Sequence, residues 1–192
     1  QSDSVGTLAT RIRSDETCDA DVVIGGMFAA DGDTYHDILQ PYTAACDAEQ
    51  LYHDPAGYYT FYDVQLMCLV VNPELRDELG IEINSYADLL NPALNGKVII
   101  SDPTSSSAAW NNLSNIFAVY GNDSDEAWAQ IEGMLQNGLI VVGSSSACFK
   151  SVQQGEYVVG LTYEDGASTL LKDGATNIKM VYPAEGSSAF AF

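Results

Sequence analysis

The sequence predicts an α/β fold, in a chain long enough for one full domain or two small lobes. Three observations lead there. From Lys97 to Tyr182, short apolar runs alternate with helical stretches at the spacing of βαβ units. Two of these runs empty into serine-rich turns that open the next helix. A long aromatic-rich run at 59–71 is extended enough to carry the chain from one lobe into another.

Taken in order, Gln1 to Glu16 reads as the end of a helix. Val5, Leu8, Ala9 and Ile12 share a face, and Arg11 and Arg13 come late, where positive charge suits the helix dipole. An earlier strand is expected before such a helix. Asp21 to Ile24 (DVVI) reads as a short strand ending in Gly25-Gly26, which either offers N–H groups to a ligand or closes a tight turn. A weak helix spans Asp33 to Leu39 and stops at Pro41; 43–57 is surface loop. The long strand Tyr59–Val71 follows. Asn72 caps a helix over Pro73–Leu79, with proline at its first position and Gly80 at its end.

Ser85, with Asp88 three residues on, forms a capping box for a short helix. Lys97–Ile100 is a strand broken by Asp102-Pro103, and Thr104 to Ser107 must open the next helix, whose apolar set is Trp110, Leu113, Ile116, Phe117 and Tyr120. A helix from Asp123 or Ser124 to Gln136 turns Ala127, Trp128, Ile131, Met134 and Leu135 toward the core. Leu139–Val142 is a strand, and Gly143-Ser144-Ser145-Ser146 opens a helix to about Gln154. Glu156–Thr162 is the next strand, followed by Tyr163-Glu164-Asp165-Gly166 and a helix over Ala167–Lys172. Asn177–Tyr182 is the last strand, after which Pro183 and Gly186 bend the chain.

Composition narrows the function. With 27 acidic against 7 basic side chains and a formal charge of -20, the chain has no basic field to draw nucleic acid or an anionic membrane toward it. A localised anion site stays compatible with that charge, because helix N-termini act over a single turn. Hydrophobic content of 46% is that of a folded globule, and no apolar run is long enough to span a bilayer. No signal peptide is visible, so it was removed or never existed.

Cys18, Cys46, Cys68 and Cys148 show no CxxC pair, and His36 and His53 are isolated, so neither structural zinc nor any other metal or cofactor is expected. Four cysteines allow two disulfides, with Cys18–Cys46 the first choice; buried free thiols are the equal alternative.

Four loops fall at strand ends: Gly25-Gly26, Thr104–Ser107, Gly143–Ser146 and Tyr163–Asp165. Ligands bind at such ends in open α/β sheets. The candidate ligand-binding residues are Gly25, Gly26, Ser105, Ser106, Ser107, Ser144, Ser145, Tyr163, Glu164 and Asp165. Free N–H groups and hydroxyls at a helix start suit an anion. Glu164 and Asp165 suit an ammonium group or, alternatively, only complement the dipole of the helix they open.

Four segments carry a resemblance over almost the whole chain: ADVVIGG at 20–26, SYADLLNPALNGKVIISDPTSSS at 85–107, GSSSACFKSVQQGEYVVGLTY at 143–163, and IKMVYPAEG at 178–186. In order and spacing the chain is similar to type II periplasmic or extracellular solute-binding proteins of ABC transporters, the group of ferric-iron, phosphonate, thiamine and polyamine binders. The resemblance implies two lobes joined by hinge strands: a partial first lobe over 1–62, a complete second α/β lobe over 63–179, and a return hinge strand over 180–192. It implies a small-molecule solute held between lobes, a transporter permease as partner, no catalysis, and an extracellular, periplasmic or cell-surface location. The family's opening strand-helix-strand and its closing helical region have no counterpart here, an expected truncation that leaves open sheet edges for homo-oligomers.

Iron binders of this group carry a tyrosine pair where this chain has Tyr163 alone, so a phosphonate, phosphate ester or zwitterion ranks above ferric iron. A self-assembling structural protein built on the truncated fold is the rival reading. An enzyme is not expected, since no nucleophile elbow, P-loop or metal-binding histidine pair is present.

Overall fold

The computed structural model describes residues 5–14, 20–24, 32–187 and 189–191. The chain divides into two compact units, Gln1–Gln65 with Phe190–Phe192, and Leu66–Ala189.

In the first unit, helix α1 (Val5–Arg13) buries Val5, Leu8 and Ala9 as its spacing predicts, while Ile12 is exposed. Arg13 grips both carboxylate oxygens of Asp37 at 2.7 Å and donates to the Thr34 carbonyl at 2.7 Å. Helix α2 is a single turn, Gly32–Tyr35, shorter than the expected 33–39. The Ile38 N–H closes on the Tyr35 carbonyl, which tightens the chain out of α-helical geometry.

Two expected strands change. Residues 21–24 are not a strand: Val22 and Ile24 are 76% and 81% exposed, and no partner strand meets them among the described residues. Strand propensity without a neighbour to take the backbone groups does not make a strand. The long strand begins at Val64 instead of Tyr59. The rings before it pack locally, Tyr58 stacked on His36 at 4.1 Å and Tyr59 edge-on to Phe61 at 5.3 Å.

The second unit is built on a sheet of order β3-β2-β4-β1-β5, with β6 (Ala189–Ala191) also pairing β1. Strand β1 (Val64–Val71) runs antiparallel to β4 (Val159–Tyr163) and β5 (Lys179–Val181). Strand β2 (Val98–Ser101) runs parallel to β4 and to β3 (Ile140–Val142). Leu69, Val71, Ile100 and Leu161 face one core with helix α4 (Ser107–Tyr120) and helix α5 (Asp125–Gln136). Cys68, Val70 and Ile99 face the other, with helix α6 (Ser145–Gln153) and helix α7 (Glu164–Lys172).

Local signals hold where the chain caps itself. Asn72 Oδ1 accepts from the Glu74 and Leu75 N–H groups at the start of helix α3 (Pro73–Leu79), and Gly80 closes it with φ 64°. Ser85 Oγ accepts from Asp88 N at 3.1 Å, while the Asp88 carboxylate accepts from Asn84 N at 2.9 Å. The capping box is thus shifted by one residue, and the turn it opens, Ala87–Leu90, is a 3-10 helix.

The apolar stripe expected on α4 is wrong at its first member. Trp110 is 57% exposed, and α4 buries Ala108, Ala109, Asn111, Asn112, Asn115 and Ile116 instead. The helix thus buries small and amide side chains, and two of the amides find hydrogen-bond partners in α4 itself, in β4 and at Tyr86. Asn112 Nδ2 donates to the carbonyls of Ala108 and Thr162, and Asn115 Nδ2 to the Tyr86 hydroxyl at 2.6 Å. On α5, Ala127, Gln130 and Met134 are buried, but Leu135 is exposed and Trp128, 54% exposed, lies edge-on to Phe117 at 5.0 Å. Cys46 is an exposed free thiol, so the Cys18–Cys46 bridge is not made; Cys18 itself lies outside the described residues. Cys68 and Cys148 are buried free thiols, the alternative the sequence left open.

Candidate functional site

Three neighbouring strands, β3, β2 and β4, are parallel, so their C-terminal ends lie along one edge of the sheet. Each leads into a helix within five residues: β2 into α4, β3 into α6, β4 directly into α7. Helix α4 packs on one face, α6 and α7 on the other, so helix starts from both sides meet at that edge. This is the crevice where open α/β sheets take ligands.

At the start of α4, Asp102 organises the turn. Its carbonyl accepts from the N–H groups of Ser105 (3.1 Å) and Ser106 (2.8 Å), and its carboxylate accepts from the Thr104 N–H and hydroxyl. These bonds hold the Asp102 carboxyl below the usual carboxylate range, the Thr104 hydroxyl contributing most. Ser106 is the cap: its Oγ accepts from Ala109 N at 3.4 Å and from the buried Ser101 hydroxyl at 2.8 Å. Ser105 and Ser107 are exposed beside it. The first N–H groups inside the helix, at Ser107 and Ala108, have no carbonyl of their own helix to meet.

The second serine turn differs. Ser144 precedes α6 without capping it; its Oγ pairs with Ser146 Oγ at 3.1 Å, and Ser145 is half-buried. Burial pushes the Cys148 thiol up to about 11 despite a hydrogen bond with Ser101, and its sulfur lies 3.9 Å from the Ser144 carbonyl oxygen. Ser101 and Cys148 therefore tie the two serine turns together.

At the third start, Tyr163 is the half-buried residue before α7, its ring edge-on to Phe149 at 6.3 Å. Glu164 and Asp165 fill the first turn of α7, which thus begins three residues earlier than the expected Ala167. The Tyr182 hydroxyl is hydrogen-bonded to Glu164; burial and that acidic neighbour push Tyr182 up to about 12. Burial, then the charges of Glu164 and Asp165, push the Cys68 thiol up to about 12.

The structure brings Ser105, Ser106, Ser107, Ser144, Ser145, Tyr163, Glu164 and Asp165 to one sheet edge; Gly25 and Gly26 lie outside the described residues. Sequence reasoning missed Ser101, Thr162, Asn112 and Tyr182. Ser101 and Thr162 are polar residues near the ends of otherwise apolar buried strands, a signal that could have found them. The Thr162 hydroxyl and Asn112 Oδ1 are buried without a hydrogen-bond partner. Among the described residues no group of three or more His, Cys, Asp or Glu side chains could hold a metal, and no helix is long and apolar enough to cross a membrane.

The family model for bacterial extracellular solute-binding proteins matches residues 22–192. No curated protein matches the sequence. Among solved structures, the periplasmic binding protein P5PA superposes with a TM-score of 0.78 at 22% identity, over 98% of this chain and 62% of that one. Iron-bound HitA from Pseudomonas aeruginosa gives 0.73 at 20% identity, over 97% and 63%. AfuA from Actinobacillus pleuropneumoniae with exogenous fructose-6-phosphate bound gives 0.71 at 23% identity, over 84% and 51%. These likenesses are of fold, and the chain spans 51–63% of the length of these three structures.

Proposed function

Because the chain belongs to the bacterial extracellular solute-binding proteins, we propose that it is the solute-binding part of an ABC importer, holding a small anionic or zwitterionic solute for a transporter permease outside the cytoplasmic membrane. In this reading 1–62 is a first lobe, 63–179 the second, and 180–192 the return hinge; Gly25 and Gly26 are the first lobe's backbone contribution. The reading involves no catalysis.

One observation carries it: three helices start along the C-terminal edge of three adjacent parallel strands, two of them ringed by serine hydroxyls. An anionic group, phosphonate or phosphate ester, takes the starts of α4 and α6, where Ser105, Ser106, Ser107, Ser144 and Ser145 supply hydroxyls and first-turn N–H groups. The start of α7 is acidic and repels a second anion. Glu164, Asp165 and Tyr163 suit an ammonium group there, which makes an aminoalkylphosphonate the preferred solute class. Fructose-6-phosphate in AfuA is a phosphate ester, in line with the anionic half of this reading.

Isothermal titration with 2-aminoethylphosphonate, methylphosphonate, glycerol phosphate, spermidine and ferric citrate tests it. The aminoalkylphosphonate is expected to bind most tightly. Ser107→Ala and Ser144→Ala should each weaken it about tenfold, the loss of one hydrogen bond to a charged group. Binding of spermidine or iron alone would overturn the reading.

A further inference from the structure

The five basic side chains of the second unit all lie away from the serine-lined edge of its sheet. Val71, the last residue of β1, pairs with Val159 and Lys179, the first residues of β4 and β5, which marks the edge opposite the helix starts. Lys179 opens β5 at that edge, Lys97 immediately precedes β2, and Arg76 sits on α3 just beyond the end of β1, held by Asp77 at 2.6 Å. Lys150 and Lys172 lie in the last turns of α6 and α7, helices that begin at the serine-lined edge and run away from it. The three turns at that edge, 102–107, 143–146 and 163–165, instead contain Asp102, Glu164 and Asp165, with neither lysine nor arginine. Asp102, whose carboxyl the Thr104 hydroxyl and N–H hold below its usual range, is ionised at neutral pH.

Within the second unit, then, an anion is attracted by dipoles and repelled by charges. N–H groups and hydroxyls at the helix starts act over about one turn. The repulsion acts over the whole surface, from 15 Asp and Glu against 5 Lys and Arg in 66–189 and a charge of -20 on the chain. Salt separates the two. The Debye length is about 10 Å at 0.1 M ionic strength and about 3 Å at 1 M, so concentrated salt screens the carboxylates and leaves hydrogen bonds at contact in place. We propose that this site is gated by salt: its affinity for an anionic solute rises with ionic strength. A site built on lysine or arginine behaves in the opposite way, because salt there screens an attraction. The proposal rests on the anion seat proposed above and adds the medium in which that seat works, a salt-rich one.

Isothermal titration with methylphosphonate tests it at one pH, over potassium chloride concentrations from about 0.05 M to about 1 M at which circular dichroism shows the chain folded. Affinity should rise about tenfold across that range. The rise should be smaller for 2-aminoethylphosphonate, whose ammonium offsets one negative charge. The double variant Glu164→Gln, Asp165→Asn should bind methylphosphonate about threefold more tightly than the parent at the lowest salt and gain less from added salt. Affinity that stays level or falls as salt rises, or a variant that binds no better at low salt, would overturn the proposal and leave the solute reading standing. Failure of both phosphonates to bind at every salt concentration would overturn the two together.

Discussion

Gly160→Ala tests how the serine turns are held. Gly160 lies on β4 beneath α6, and a Cβ there would sit 2.1 Å from the Cys148 carbonyl oxygen, 2.9 Å from its carbon, and 3.3 Å from Val152 Cγ2. The first two contacts are helix backbone, which cannot rotate away. Ordinary contact needs about 3.4 Å, so α6 must lift by roughly 1 Å, and overpacking of that kind costs about 1–3 kcal/mol. The backbone entropy gained by replacing a strand glycine returns about 0.5–1 kcal/mol. A net loss of about 1–2 kcal/mol is expected, or about 2–8 °C in Tm for a chain of this size. Because α6 carries Ser144 and Ser145 at its start, affinity for the solute should fall as well. Urea unfolding followed by circular dichroism reads the first effect, and titration of the solute the second. The contrast is Gly166→Ala, whose Cβ would have the Phe149 ring as its nearest neighbour, at 2.4 Å, a side chain and not helix backbone. A Gly160→Ala protein within about 0.5 kcal/mol of the parent, the spread of an ordinary surface change, would refute the reasoning.

Within the second unit, Glu185 straps residues 183–187 to earlier parts of the chain, its oxygens accepting from Tyr86 N (3.1 Å), Ala87 N (3.2 Å) and the Tyr120 hydroxyl (3.0 Å). Glu185→Ala should cost about 2–4 kcal/mol and raise amide exchange around Ala184, whose N–H meets Asn84 O at 2.8 Å. Asn72→Ala removes the cap of α3 and a hydrogen bond to the Val152 carbonyl; a loss of about 1–2 kcal/mol in urea is expected. Of Cys46, Cys68 and Cys148, only Cys46 should react with a thiol reagent at pH 8 in the folded protein, and all three in urea. Burial raises Cys68 from 9.0 to about 12 and Cys148 to about 11, so their contribution to stability is complete below pH 9 and is lost as pH rises through 11 and 12. Alkaline unfolding that sets in over that window, and moves when Cys68→Ala is introduced, checks the sign.

Much of this protein was legible in one dimension. Asn72, Gly80 and the serines before α4 and α5 act through bonds two or three residues away, so sequence spacing alone places them. The βαβ alternation of residues 97–182 likewise identifies the parallel strands, because a buried strand and a helix start are both local patterns. Ser105, Ser106, Ser107, Ser144, Ser145, Tyr163, Glu164 and Asp165 could be named from those patterns before any contact was known.

What only the tertiary structure decided depends on neighbours distant in sequence. Val22–Ile24 has the composition of a strand but no ladder among the described residues, and pairing comes from another segment, not from propensity. Trp110 has core-like spacing yet faces outward, because alanine and asparagine take the buried positions of α4, and Trp128 on α5 is half exposed against the Phe117 ring. Ser101 reaches Cys148, and Glu185 reaches Tyr86 across 99 residues, only once the sheet has aligned its strands. The sequence therefore determined which residues open α3, α4, α5 and α6. The sheet determined which of those openings face one another, because parallel pairing alone puts their ends on a common edge.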